Sequence, residues 1–159
     1  MFSENMRIIE GKKLELIKKS LESYGAIFEL LPDYNIVLIN QEVFLVKTDV
    51  LSKVQNENLE NNLISVGTQI GKFHKGNFLP GIEIHLIIGP TSKKAKLTDK
   101  GTSLFLYGRD VFVKNIINPP KKGFVIVSNK RDEIIGLGKF DGKMLINFLD
   151  RGSYLRVLE

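Results

Sequence analysis

Ser103-Leu-Phe-Leu-Tyr-Gly-Arg-Asp-Val-Phe-Val-Lys-Asn115 is the stretch whose reading decides the fold. An apolar helical end runs into Tyr107-Gly108-Arg109, and a β-prone run, Val111 to Val113, follows at once. Gly108 stands where a helix must stop and the chain reverse, a position that favours positive φ. Just upstream, Lys94 to Leu97 read as a short strand, and Thr98 is placed to cap the helix. The sequence therefore predicts a strand, a helix, a tight reversal and a second strand in quick succession.

Working outward toward the C-terminus, Pro119-Pro120 forces a rigid, extended connection. Gly123-Phe-Val-Ile-Val-Ser128 and Glu133-Ile-Ile-Gly-Leu-Gly-Lys-Phe140 read as paired strands, with Asn129 to Asp132 as the turn. Gly136 and Gly138 would let the second strand bend sharply, as a small closing barrel needs. Met144 to Leu149 is apolar without a decided type. Asp150-Arg151-Gly152 turns the chain into Tyr154 to Leu158, a final strand.

Working outward toward the N-terminus, Gly89 to Ser92 is a run of turn residues and marks a domain boundary. The two domains expected are residues 1–90 and 93–159. In the first, residues 7–24 read as a helix, with Ile9, Leu14, Ile17 and Leu21 near helical spacing. Asn35 to Ile39 and Val43 to Val46 form a hairpin across Asn40-Gln41-Glu42. Thr48 is a candidate cap for a short helix, Asp49 to Val54. Gln55 to Asn62 is a polar loop or frayed helix end. Leu63 to Lys75 is β-prone but interrupted by Gly67 and Gly71, which mark bends or close backbone approach. Gly76-Asn77 makes a turn, and Ile82 to Ile88 resumes as a strand. The fold class expected is α+β: an antiparallel sheet with helices, then a compact β-rich domain.

The chain of 159 residues is 43% hydrophobic, enough for a packed core. It has no Cys, which excludes disulfides, thiolate metal sites and Cys nucleophiles. No apolar run approaches ~20 residues, so no membrane span is expected. The N-terminus lacks a signal-peptide pattern, and the expected location is the cytoplasm, or the nucleolus in a eukaryote.

The net charge of +5 is unevenly spread. Residues 1–92 hold 9 Lys/Arg against 11 Asp/Glu, a net of −2. Residues 93–159 hold 14 against 7, a net of +7. A basic module joined to a near-neutral one suggests a polyanion as partner. The competing reading is a lysine-rich solvated surface.

Catalytic constellations are thin. His74 and His85 are isolated histidines without a carboxylate pattern around them, and read as structural or surface residues. Gly67-Thr-Gln-Ile-Gly-Lys72 lacks the spacing of a phosphate-binding Walker loop. No catalytic residue, metal ligand or cofactor is expected. The basic set is denser. Arg109 and Lys114 flank the central reversal, Lys121, Lys122, Lys130 and Arg131 sit in loops, and Lys139, Lys143, Arg151 and Arg156 follow. Each residue meeting a phosphate would release a counterion. Tyr107 and Tyr154 are candidates for stacking on unpaired bases, with core packing as the alternative for both.

In the order helix, Phe105-Leu-Tyr-Gly-Arg-Asp-Val111, Gly123-Phe-Val-Ile-Val127, Ile134-Ile-Gly-Leu-Gly138 and Asp150-Arg-Gly-Ser-Tyr-Leu-Arg156, the second half resembles a PUA domain. Leu21-Glu-Ser-Tyr-Gly25 and Leu63-Ile-Ser-Val-Gly-Thr-Gln-Ile-Gly-Lys-Phe73 narrow the resemblance to the nip-seven family of ribosome biogenesis factors, in its compact archaeal form. The resemblance implies an α/β pre-PUA domain used for protein partners and a PUA pseudo-barrel that binds RNA. The implied protein is a non-enzymatic, monomeric factor in large-subunit pre-rRNA processing and assembly, binding uridine-rich single strands and other assembly proteins. Alternatives are an RNA-binding accessory subunit of an RNA-modification enzyme and a protein-interaction adaptor. One segment departs from the family pattern. Lys143 matches a basic position of archaeal relatives, but Met144, Leu145, Ile146, Phe148 and Leu149 are apolar where those relatives tend to be basic. The departure shifts the expected RNA surface toward Arg109, Lys121, Lys122, Lys130 and Arg131.

Overall fold

The computed structural model describes residues 6–25, 28, 32–88 and 93–153. The chain forms two compact units, Met1–Leu21 with Phe28–Ile87, and Glu22–Ile27 with Ile88–Glu159. The second unit is therefore discontinuous in sequence. The boundary expected at Gly89 to Ser92 and the last strand expected from Tyr154 to Leu158 lie outside the described residues.

In the first unit, β1 (Arg7–Ile8), β2 (Tyr34–Ile39), β3 (Glu42–Lys47), β4 (Thr68–His74) and β5 (Asn77–Pro80) form an antiparallel sheet in that order. The helix expected over 7–24 is shorter. Arg7 and Ile8 pair with β2, Gly11 takes a φ of +64°, and α1 (Gly11–Glu22) begins only there. The β2–β3 hairpin closes through Asn40 and Gln41, both at positive φ, which suits the right-handed twist of the paired strands. Alternate residues Val37, Ile39, Phe44 and Val46 pack with Leu51 and Val54 of α2 (Thr48–Asn56).

Local chemistry departs from the sequence reading at four further points. Thr48 does not cap α2; Lys47 holds the cap position, and the Thr48 hydroxyl accepts from Asn35 Nδ2 at 2.9 Å. The run from Leu63 becomes a strand only at Thr68, because Gly67 turns there at φ +65°. The following turn uses Lys75-Gly76 rather than Gly76-Asn77, since Asn77 already pairs with His74. Ile82–Leu86 is a 3-10 turn, not a strand. The segment has no ladder partner among the described residues and closes on itself, with Ile84 N–H donating to Gly81 and Ile87 N–H to Ile84. His85 stays within that turn, Nδ1 lying 3.1 Å from the Ile82 carbonyl and Nε2 3.8 Å from Glu83.

The second unit contains β6 (Lys94–Leu97), α3 (Asp99–Leu106), β7 (Val111–Phe112), β8 (Ile116–Ile117), β9 (Gly123–Ser128), β10 (Ile134–Phe140) and β11 (Met144–Asp150). The segment of undecided type is thus a full strand. The strand expected at Val111 to Val113 ends one residue early in a 3-10 turn, Val113–Asn115, and β8 follows. The sheet order is β7-β11-β10-β9-β6-β8, antiparallel except for β6 beside β9. This barrel-like sheet wraps Ala95, Leu97, Phe105, Val111, Ile116, Val125, Val127, Ile135, Phe140 and Leu145.

Both ends of α3 are fixed by sequence-local bonds. The Thr98 hydroxyl accepts from Gly101 N–H at 3.1 Å. At the other end Gly108 N–H donates to Phe105 and Arg109 N–H to Leu104, with Gly108 at φ +82°. This is the paired-bond stop that glycine favours. Two register shifts interrupt the ladders of β10: opposite β9 the extra residue is Ile135 of β10, and opposite β11 it is a residue of β11, between Asn147 and Leu149. A Cβ on Gly136 would fall 2.5 Å from Phe105 Cε1 and would clash with the Leu149 carbonyl oxygen. Gly136→Ala is therefore expected to cost ~3 kcal/mol by overpacking a site with no free volume. Urea unfolding of the full chain measures it; a loss below ~1 kcal/mol would contradict this packing.

Candidate nucleic-acid interface

The inward set of the second unit dictates its outward set. Val125 and Val127 point into the core from β9, so Phe124 and Ile126 occupy the opposite face. Phe140 points inward from β10, so Lys139 points outward, registered between Phe124 of β9 and Ile146 of β11. The Lys139 ammonium lies 5.3 Å from the Phe124 ring centroid. Phe124 is flanked by two further rings at 5.7 Å, Tyr24 and Phe148. Tyr24 is buried, which pushes its phenol up to about 12. Phe148 is 53% exposed.

At the end of the sheet where β9 begins and β10 finishes, lysines converge. Lys93 Nζ lies 3.4 Å from the Lys122 carbonyl oxygen. The Lys122 chain passes over Gly142, where an added Cβ would sit 2.7 Å from Lys122 Cε. Lys143 occupies the same turn, and its carbonyl accepts from Val113 N–H at 2.9 Å, bringing Lys114 alongside. Lys121 precedes Lys122 and is exposed. Among the described residues, none of Lys93, Lys114, Lys121, Lys122, Lys139 and Lys143 makes an ion pair. Asp141 is the carboxylate of this turn. It accepts from the backbone N–H groups of Met144 and Lys143, both at 2.8 Å. Those bonds hold its carboxyl below the usual range, with a smaller contribution from Lys122 and Lys143.

At the opposite end of the sheet two lysines are held in ion pairs. Lys130 pairs with Asp99 and Lys96 with Asp132, each at 2.8 Å. The Lys96 hydrogen bond and charge lower the Asp132 carboxyl. Arg131 lies in the same turn, where its N–H donates to Asn129 Oδ1. Arg151 Nε donates to the Ile134 carbonyl at 2.6 Å, tying the end of β11 to the start of β10.

The residues singled out in the sequence thus divide by place. Lys114, Lys121, Lys122, Lys139 and Lys143 gather at one end. Lys130, Arg131 and Arg151 stand at the other. Tyr107, 74% exposed, and Arg109 follow α3, next to Asp110, whose Oδ1 accepts from Asn147 N–H at 2.8 Å. Gly152 packs against the Leu106 carbonyl, so this corner lies toward the end of β11 away from Lys143. Tyr154 and Arg156 lie outside the described residues. Sequence reasoning passed over Phe124 and Phe148 as site residues, and counted Lys93 with Lys94, Lys96 and Lys100 only as the basic lead into the domain. The alternation in β9 carried a signal for Phe124; the facing of Phe148 needed the β10–β11 register.

Residues 6–82 match the model of the NIP7/UPF0113 pre-PUA domain, and residues 93–159 match that of the UPF0113 PUA domain. The chain belongs to the NIP7/UPF0113 family. It is 25% identical to a UPF0113 protein of Archaeoglobus fulgidus, over 91% of each chain. A UPF0113 protein of Aeropyrum pernix is 30% identical over 58% of this chain and 57% of its own. Among solved structures, a conserved PUA domain protein from Thermoplasma acidophilum shares the fold at TM-score 0.58 and 13% identity, over 97% of this chain and 99% of its own. A hypothetical protein from Pyrococcus horikoshii does so at 0.55 and 13%, with the same coverage. In this family member the pre-PUA unit is the antiparallel sheet with α1 and α2, and the PUA unit is the barrel-like sheet with α3. Among the described residues, no helix is long and apolar enough to cross a membrane.

The Asp141 turn has a definite pH signature. Its carboxyl is depressed on folding, so its stabilisation is complete above the unfolded-state pKa and disappears as pH falls through the folded-state value. Asp141→Ala should therefore lower the denaturation midpoint more at pH 7 than at pH 3. A midpoint difference that does not shrink on acidification would contradict the assignment.

Proposed function

We propose that this protein is a non-enzymatic RNA-binding factor of ribosome biogenesis, acting in large-subunit pre-rRNA processing and assembly. It works as a cytoplasmic monomer and holds uridine-rich single-stranded RNA through residues 93–159. Residues 1–90 serve partner proteins in the assembling particle. The observation that carries the RNA reading is the gathering, at one end of the PUA sheet, of six lysines without ion pairs among the described residues, while at the other end Lys130 and Lys96 are paired with Asp99 and Asp132. Asp141 is the carboxylate of this turn and forms no ion pair with these lysines, so most of the cluster's field is left for phosphate, and each contact releases a counterion. The exposed apolar side chains of the first unit support its role toward proteins; Ile64 is 81% exposed, and Leu59 and Leu86 are also exposed.

A titration of uridine-rich RNA at several salt concentrations tests the reading. Lys122→Ala combined with Lys143→Ala should weaken binding and reduce the log–log salt slope by about 1.4, at ~0.7 per lost single-strand contact. Lys130→Ala, already paired with Asp99, should leave affinity and slope near those of the unaltered protein. Binding that is absent at low salt, or indifferent to salt, overturns the proposal.

A further inference from the structure

Phe148 sits in the strand segment where a basic surface would be expected, and its position is not an accident of a loose loop. On β10–β11, Leu137 pairs with Leu149 and Gly138 with Asn147, so Phe148 is the extra residue of a bulge. A bulge re-aims the side chain it carries. The two neighbours of Phe148 are held: Leu149 is half-buried and registered on Leu137, and the Asn147 side chain donates to the Phe105 carbonyl at 2.8 Å and to Asp150 at 3.1 Å. The Phe148 ring is left 53% exposed, yet it is braced by Phe124 at 5.7 Å, which is itself backed by the buried Tyr24. The result is a short, rigid aromatic surface with one open end. The Lys139 ammonium stands over Phe124, and Lys122 and Lys143 lie farther along the same end of the sheet.

We propose that Phe148, braced by Phe124 and Tyr24, is a stacking platform for an unpaired nucleobase of single-stranded RNA, with Lys139 engaging the phosphate next to it. The proposal rests on the RNA-binding reading above and specifies which part of the strand meets which part of the surface. An aromatic ring accepts the π-face of every base, so the platform demands that a base be unpaired rather than that it have one identity. The preference for pyrimidine runs then follows from strand flexibility and weak self-stacking, not from hydrogen bonds to base edges. The apolar character of β11 belongs to this device. Leu145 faces the core, while Ile146 and Phe148 occupy the outer face with Lys139. Charge is supplied by the turn and neighbouring strands, and the aromatic surface by β11 itself.

The experiment compares a uridine-rich RNA with a sugar–phosphate strand of equal length lacking bases. The unaltered protein should bind the RNA at least ~5-fold more tightly than the abasic strand. Phe148→Leu keeps an apolar side chain at an exposed site but removes the ring. It should bind the RNA about as weakly as the abasic strand, with abasic affinity unchanged. Phe148→Trp should retain the preference for bases. A 2-aminopurine reporter in the strand should be quenched by the unaltered protein and by Phe148→Trp, and not by Phe148→Leu. The platform is overturned if Phe148→Leu keeps full RNA affinity, or if it weakens both strands equally. Salt-dependent binding of both strands with equal affinity overturns the platform alone. No binding of either strand overturns the RNA reading and the platform together. Retained RNA affinity with altered self-association of Phe148→Leu in sedimentation assigns the surface to a second copy of the chain and overturns the proposal.

Discussion

The Phe105 ring occupies the space that a side chain at position 136 would need, and the organisation of the PUA unit depends on this exchange. Phe105 is fully buried, and it is carried by a helix whose two ends are pinned by Thr98 and by the Gly108 reversal. Because Gly136 offers only hydrogen, β10 closes over the ring while still pairing with β9 and β11. Asn147 adds a polar lock, its side chain donating to the Phe105 carbonyl and to Asp150. With Phe105 fixed, Val125, Val127, Ile135, Phe140 and Leu145 must face inward. The outward placement of Phe124, Lys139 and Phe148 is then a consequence of strand alternation and one bulge.

The two ends of the same sheet show how a basic domain can concentrate its field. Fourteen cations in the second half would spread a diffuse potential if all were free. Pairing Lys96 with Asp132 and Lys130 with Asp99 cancels charge at one end. At the other end the turn carboxylate, Asp141, is occupied by backbone N–H groups. Exposed ion pairs of this kind contribute little to stability, typically under ~1 kcal/mol. Their effect here is on the shape of the potential, which affects association with a polyanion more than it affects folding.

How much was legible in the sequence depended on the range of the deciding interaction. Thr98, Gly108 and the β9–β10 hairpin were readable because capping, positive φ and alternation are local. Thr48 misled because a cap-competent hydroxyl found a tertiary partner, Asn35, instead. Ile82 to Leu86 misled because alternation of Ile with polar residues also fits a tight turn, and among the described residues this segment joins no ladder. Residues 7–24 misled because apolar spacing continues through Ile9, although Ile9 N–H belongs to the β2 ladder at the Ile36 carbonyl. In the candidate site, the charge split was visible, but which lysines are neutralised was not. Lys130 meets Asp99 only through the fold, and Phe148 acquires its outward aim from a register shift that no local pattern announces.

The discontinuity of the second unit bears on how this chain is made and how it can be cut. Tyr24 packs against Phe124, and its carbonyl accepts from Lys93 N–H at 2.7 Å, so an early segment of the chain completes the sheet of the second unit. During synthesis Tyr24 emerges long before β9, and their contact joins residues far apart in sequence, the kind of contact whose loop-closure cost slows folding. A fragment beginning at residue 93 would respect the sequence boundary and still leave Phe124 without the ring that backs it. The two compact units are therefore interleaved in sequence, the second borrowing Glu22–Ile27 from within the first.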